Sequence, residues 1–334
     1  MTNSTLDKVV CVSLDTHIWT ARKKLRPEDL RLSAGTLPPE EVASLGSKRV
    51  FDPKKIAIFL GLRRKAHRVC EAHGVRFLGG YAIPLDRIDQ VGSHLDQVAQ
   101  QFEAAKAQFL CDYDTDLEAW IRAHPGWEQV IRCAVESVGH VQARLSFDWQ
   151  AFQVNPPQLP QPVAPAIGGL ERATCGLAGQ LLREVAETAR SIYDERVIGR
   201  EKVSRRLLAS MQRLADKLDG LAFLDPTVGP LVAMIRGVVA AIPASGALEG
   251  RDLAAVGGLL LMLGDEARMK AHAARVLSGE SVDEVIDELT SDDKAAEEEV
   301  PPPQETAESL PPAGTVLPPG PAIREQPEAL FSFF

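Results

Sequence analysis

A chain of 334 residues with 45% apolar and 25% charged side chains has the composition of an ordinary globular protein with room for two domains, which excludes wholesale disorder. Its five cysteines, Cys11, Cys70, Cys111, Cys133 and Cys175, contain no C-x-x-C pair and supply no disulfide framework, so a reducing, cytoplasmic home is expected. The net charge of −9 hides a partition: residues 1–78 carry 15 Lys/Arg against 8 Asp/Glu, whereas residues 79–153 carry 5 against 11 and the segment from 293 carries 2 against 8.

Met1 to Leu6 has neither a basic n-region nor an apolar h-region, so no secretory signal is read there. Lys8 to Leu14 is a short β-branched run, and strand character returns at Val75 to Ile83 around Gly79 and Gly80; the two are predicted to pair in a small sheet. Between them, Pro53 to His73 sets Ile56, Phe59, Leu60 and Val69 against a basic face, an amphipathic helix. Next, Ile88, Val91, Leu95, Val98, Phe102, Ala105 and Phe109 recur at three- and four-residue steps, a coiled-coil-like seam on one long helix from Leu85 to His124, ended by His124, Pro125 and Gly126. Such a helix must lie against something: a second helix over Trp127 to Leu145, or a copy of itself in a homo-oligomer.

Val154 to Gly169 holds five prolines and no charge, which reads as an extended spacer. The expected organisation is therefore an N-terminal unit (1–153), a linker (154–169), a helical bundle (170–290) and a tail (291–334). In the bundle, Leu170, Thr174, Leu177, Leu181, Val185 and Ile192 form one stripe and Val203, Leu207, Met211, Leu214, Leu218 and Leu221 a second. Shorter helices are predicted over Val228 to Ile242, Leu253 to Leu263 and Glu266 to Leu277, and a capping box at Ser281 and Glu284 opens a last one to about Leu289. The apolar stretches among them are interrupted by Arg236 or too short to cross a bilayer, so no membrane span is expected. The fold class read is mainly α: an N-terminal α+β unit with a small sheet and one long helix, an all-α bundle, and a disordered tail.

The tail from Ser291 to Glu328 is acidic and proline-rich, too poor in aliphatics to offset the entropy of ordering. At its end Leu330, Phe331, Ser332, Phe333 and Phe334 gather three of the chain's 11 phenylalanines. Leu330, Phe331, Phe333 and Phe334 are read as a weak, exchangeable protein-binding peptide, in cis on the chain's own body or in trans on a partner. The pentapeptide resembles sliding-clamp-binding peptides through Ser332 and Phe334, and resembles the acidic, phenylalanine-terminated tails of bacterial single-stranded-DNA-binding proteins.

Catalytic signatures are missing. The chain has no Gly-Lys dipeptide, no Gly-x-Gly, no Gly-x-Ser-x-Gly and no His-Glu-x-x-His, so the common ATPase, dinucleotide, hydrolase and metalloprotease motifs fail. His67, Cys70 and His73 have the spacing of metal ligands on a helix, but Arg63, Arg64, Lys65 and Arg68 repel a cation, and a packed cysteine with exposed histidines is expected. Asp112, Asp114, Asp116 and Glu118 point to different helix faces, and His17 beside Asp15 has no nucleophile. No catalytic residue, metal or cofactor is assigned. Nucleic-acid binding is a candidate: Arg22, Lys23, Lys24 and Arg26, then Lys48, Arg49, Lys54 and Lys55, then Arg63, Arg64, Lys65 and Arg68 form three basic clusters, with Trp19 and Phe51 nearby for stacking. A further patch lies at Arg196, Arg200, Lys202, Arg205 and Arg206.

LDKVVCVSLDTHIWTARKKLRPEDL from Leu6, LPPEEVASLGSKR from Leu37, GVRFLGGYAIP from Gly74 and AWIRAHPGW from Ala119 cover most of residues 6 to about 153. These runs resemble an uncharacterised bacterial family, the domain of unknown function thirty-one fifty. The resemblance brings no active site. It implies a setting in integrative elements and phages, beside a MoxR-type AAA+ ATPase and a cobaltochelatase-like von Willebrand A-domain protein. The expected function is a non-enzymatic adaptor working with those partners; the alternative is a nucleic-acid-associated protein that holds DNA through its basic N-terminal third.

Overall fold

The computed structural model describes residues 5–30, 46–155, 164–281 and 284. Its first half runs β1 (Val9–His17), β2 (Arg22–Lys24), β3 (Ser47–Arg49), α1 (Pro53–His73), β4 (Val75–Phe77), β5 (Gly80–Pro84), α2 (Ile88–Arg122), α3 (Glu128–Arg132), α4 (Val138–Ala143) and β6 (Ser146–Phe152). Helix α1 starts where its residues say it should: the Asp52 side chain accepts from the Lys54 amide at 2.9 Å, and Pro53 occupies the first turn, where no amide is needed.

The sheet has the order β4-β5-β1-β6, antiparallel throughout, and β2 pairs with β3 in a separate ribbon. Alternation along the strands divides the sheet's two faces. Val12, Tyr81 and Ile83 pack beneath α1 and α2, whereas Val9, Cys11, Val75, Phe77 and Ala82 join a core built with the helices of the second half. Burial on both faces is why β1 and β5 read as continuous apolar runs. Packing thus continues across the proline-rich segment 154–169.

Between β4 and β5, Leu78 and Gly79 both have positive φ (47° and 81°), the geometry of a two-residue hairpin turn. Gly80 then lies so close to β1 that a Cβ there would sit 2.4 Å from the Val12 carbonyl oxygen. Because that neighbour is backbone, Gly80→Ala is expected to lower stability by about 1–3 kcal/mol, read as a lower urea midpoint.

Helix α2 is 35 residues long, about 52 Å at 1.5 Å per residue. Its seam is buried as the spacing predicted, at Val91, Leu95, Val98, Phe102 and Phe109, and α1, β6, α3 and α4 of the same chain cover it. The helix expected over Trp127 to Leu145 is instead two short ones. Ser137 adopts extended backbone and accepts from the His140 amide at 3.3 Å, restarting the helix as α4. Strand β6 was not foreseen; its Phe147 faces the core, and the Trp149 indole donates to Asp96 of α2 at 3.0 Å.

The second half comprises α5 (Ala164–Cys175), α6 (Leu177–Arg196), β7 (Lys202–Val203), α7 (Arg206–Gly220), α8 (Val228–Ala241), β8 (Leu248–Glu249), α9 (Gly250–Leu263) and α10 (Glu266–Leu277). The first predicted stripe is divided at Gly176, and Val203 pairs with Leu248 in a two-residue ribbon rather than extending α7. The capping box forms reciprocally: the Ser281 amide donates to the Glu284 carboxylate at 3.2 Å and the Glu284 amide to the Ser281 hydroxyl at 3.1 Å. The helix predicted to follow it to Leu289 lies outside the described residues, as does the tail with Leu330, Phe331, Phe333 and Phe334. No helix among the described residues is long and apolar enough to cross a membrane.

Candidate anion-docking site

The β2–β3 ribbon sets like charges face to face: Arg22 opposite Arg49 and Lys23 opposite Lys48. Directly opposed like charges destabilise a sheet, so each must be neutralised or solvated. Two are neutralised. Lys48 pairs with Asp29, whose carboxyl is held below its ordinary value chiefly by that hydrogen bond, and Lys23 pairs with Glu136.

Glu136 is a hub that the sequence reading missed. Its side chain is only 15% exposed and also accepts from the Trp19 indole at 2.6 Å and lies 3.0 Å from His140 Nε2, while its backbone carbonyl accepts from the Tyr113 hydroxyl at 2.9 Å. Burial pushes its carboxyl up, but the bonds from Lys23 and Trp19 outweigh that and hold it below the usual carboxylate range. Glu136 thereby ties the loop between α3 and α4 to the base of the ribbon.

Arg22 and Arg49 have no ion pair among the described residues, and Arg63 of α1, likewise unpaired, joins them around a pocket of about 320 Å³. The walls between the arginines are apolar: Ile18, Pro53, Ile56 and Leu60. Leu60 is 37% exposed and Ile58, also on α1, is 53% exposed. Ala21, at the mouth, is held at φ 51°, a left-handed conformation unusual for alanine, while its carbonyl accepts from the Val50 amide at 2.9 Å. Three guanidiniums over a greasy floor suit a ligand with both carboxylate or phosphate groups and an apolar anchor.

The expected stacking platform is corrected. Trp19 is 6% exposed and Phe51 1%, because both belong to an aromatic cluster with Phe109 and Tyr113; Phe51 stacks on Tyr113 at 5.1 Å between centroids. Their faces are largely occupied by one another, and each reaches the pocket only through its small exposed remainder. The basic residues of α1 also divide by face: Arg63 lines the pocket, Lys55 pairs with Asp116 at 2.8 Å, and Lys65 donates to Gln101 of α2 at 3.0 Å. Arg64 and Lys54 are exposed, as are Lys24 and Arg26 beyond the pocket.

Arg68 faces a different, larger cleft of about 640 Å³ between α1, β4, α6 and α7. There two of the acids, Glu71 and Glu184, are already engaged. Glu71 accepts from Arg76 at 2.9 Å and from the Tyr81 hydroxyl at 3.1 Å, and that hydroxyl lies 2.8 Å from His67 Nδ1. Glu184 accepts from Lys217 at 2.8 Å, from Gln180 at 3.0 Å and from the Arg76 amide on edge strand β4 at 3.2 Å. Arg196 and Arg213 converge on the buried Ser210 hydroxyl at 3.3 and 2.9 Å. Of the patch around Arg196, Lys202 pairs with Glu249 at 2.7 Å and Arg205 donates to the Pro243 carbonyl, so it does not form one charged surface.

Among the described residues no three His, Cys, Asp or Glu side chains gather to hold a metal. Cys70 is fully buried and burial pushes its thiol up to about 12, while the neighbouring histidines are half-buried rather than exposed, and burial lowers both. Of the acidic run on α2, Asp116 pairs with Lys55, Glu118 holds Arg132 through two bonds of 2.6 and 2.7 Å, and Asp112 accepts from Gln108. His17 and Asp15 stand 3.2 Å apart, both about two-thirds exposed.

No curated protein and no solved structure matches this chain. A family model described as "Protein of unknown function (DUF3150)" matches residues 6–265, well past residue 153, near which the runs that carry the resemblance end. That span includes the basic ribbon, α1 and the helices packed on the far face of the sheet, and on it the chain belongs to the DUF3150 family of proteins of unknown function.

Proposed function

We propose that this protein is a non-enzymatic adaptor whose docking surface is the arginine-rimmed pocket between the β2–β3 ribbon and α1. The observation that carries the reading is the convergence of Arg22, Arg49 and Arg63, unpaired among the described residues, on apolar walls that include the partly exposed Leu60. Lys217 and Lys48 are semi-buried and matched to Glu184 and Asp29, whereas Arg22, Arg49 and Arg63 are exposed around shared apolar walls, and it is that grouping that supports reading them as a surface for another molecule. The partner class proposed is the one the resemblance implies: a MoxR-type AAA+ ATPase together with a von Willebrand A-domain protein, in the cytoplasm. Acidic peptides with an aliphatic or aromatic anchor are the chemistry this pocket recognises.

A second reading, DNA binding through the basic third, is favoured by the opposed Arg22–Arg49 pair and by exposed Lys54 and Arg64 on α1. One pair of measurements separates the two. The full chain should retain a co-expressed MoxR-type AAA+ ATPase through purification, and the variant with Arg22→Glu and Arg49→Glu should lose it; if neither retains it, the adaptor reading fails. Duplex and single-stranded DNA isotherms at two salt concentrations should show little binding, whereas affinity that falls steeply with salt would establish the second reading instead.

A further inference from the structure

We infer that the arginine-rimmed pocket receives this chain's own C-terminal peptide, with a phenylalanine from Phe331–Phe334 between Ile18, Ile56 and Leu60, and Glu325 and Glu328 against Arg22, Arg49 and Arg63. The inference rests on the reading of this pocket as a peptide-docking surface and names the peptide. Three properties of the two surfaces match.

The first is charge. The rim carries three guanidiniums with no carboxylate among the described residues, and the chain from 293 onward carries 8 acidic against 2 basic side chains, two of the acids lying within six residues of Phe331. The second is the apolar anchor. A phosphate backbone answers the rim but not the floor, and a base finds little ring face to stack on, because Trp19 and Phe51 line the pocket while being only 6% and 1% exposed. A phenyl ring answers the floor: an apolar cavity of roughly 150 Å³ holds benzene, and this pocket is about 320 Å³. The third is connection. About 50 residues separate Ser281 from Leu330, a contour of roughly 160 Å, so chain length does not limit the approach. Tethering raises the local concentration of the peptide to about millimolar, enough for a contact of modest affinity to be occupied.

Occupation of the pocket by this segment makes the tail a competitor of any acidic partner at the same site. The adaptor would then be occluded until a partner displaces its own peptide.

The test places p-benzoyl-phenylalanine at position 333 of the full chain and irradiates it at low protein concentration. The adduct should map to residues 18–22 or 49–63 of the same molecule. Arg22→Glu with Arg49→Glu should reduce its yield by about tenfold, and Glu325→Arg with Glu328→Arg in that background should restore it. Arg22 and Arg49 are exposed, and an unchanged thermal transition will verify that each variant is folded. An adduct elsewhere, or a yield indifferent to the charge reversal, overturns the inference; an adduct joining two chains overturns it in favour of a second copy. Scoring ATPase retention on the same variants keeps the two proposals apart. Retention lost with the pocket arginines but no adduct at the pocket sinks only the tail, and an adduct at the pocket with retention unaffected sinks only the adaptor reading.

Discussion

Lys217→Met is expected to destabilise the protein by about 3 kcal/mol at neutral pH, measured as a shift of the urea midpoint with unchanged slope. The Lys217 and Glu184 side chains are 10% and 17% exposed where α6, α7 and edge strand β4 meet. Methionine preserves most of the packing but leaves a desolvated carboxylate behind. That penalty is what makes breaking a buried pair cost roughly 3–5 kcal/mol, and the lower figure applies because Gln180 and the Arg76 amide still donate to Glu184. Adding Glu184→Gln should recover most of the loss, since a neutral amide keeps the acceptor for Arg76 and removes the stranded charge.

The pH dependence has a definite sign. Burial pushes the Glu184 carboxyl up, but Lys217, with Gln180 and the Arg76 amide, holds it below its ordinary value in the folded protein. A depressed carboxylate stabilises fully above the unfolded value, near 4.3, and its contribution is lost as pH falls through the folded one. The gap between wild type and Lys217→Met should therefore be constant near neutrality and close in acid. A gap that widens on acidification would show that the pair is not what holds this seam.

Phe102→Ala should cost about 3–5 kcal/mol, the range for emptying an aromatic site in a core that relaxes only partly. Phe102 is fully buried, with its ring 5.0 Å from Phe59 of α1 and 5.9 Å from Phe147 of β6. One side chain thus joins both helices of this layer to the strand at the sheet's edge. Because the α2 seam is covered by its own chain, the loss should be independent of protein concentration; a concentration-dependent loss would mean that the seam also serves a second copy. Phe152→Ala, at a ring 47% exposed, should change stability by no more than about 0.5 kcal/mol.

Much of the first half was legible because its signals are local. The apolar and basic alternation from Pro53 to His73 announced α1, the three- and four-residue spacing from Val91 to Phe109 announced the buried stripe of α2, and Ser281 with Glu284 announced a cap. Legibility failed where the deciding neighbour was remote. Strand β6 follows a helix in the chain but takes its shape from pairing with β1, Leu14 against Trp149, so its own residues gave a weak signal. Trp19 looked available for stacking because nothing within its own stretch foretold Phe109, Tyr113 and Glu136 closing around it.

The candidate site divides the same way. That the N-terminal third is basic, and that Arg22 and Arg63 belong to it, follows from composition alone. Which cations remain open to another molecule does not, because a charge is neutralised by whatever the fold brings within a few ångströms. Lys23 meets Glu136 across 113 positions of chain and Lys48 meets Asp29 across 19, while Arg22, Arg49 and Arg63 meet one another around a pocket. Residue order alone determined the helices, their caps, the buried stripes and the basic-to-acidic gradient, because periodicity and capping act over a few residues. Only the tertiary structure decided which faces of the sheet the two sets of helices cover and which three guanidiniums are left to bind, because burial and ion pairing are set by distance in space rather than along the chain.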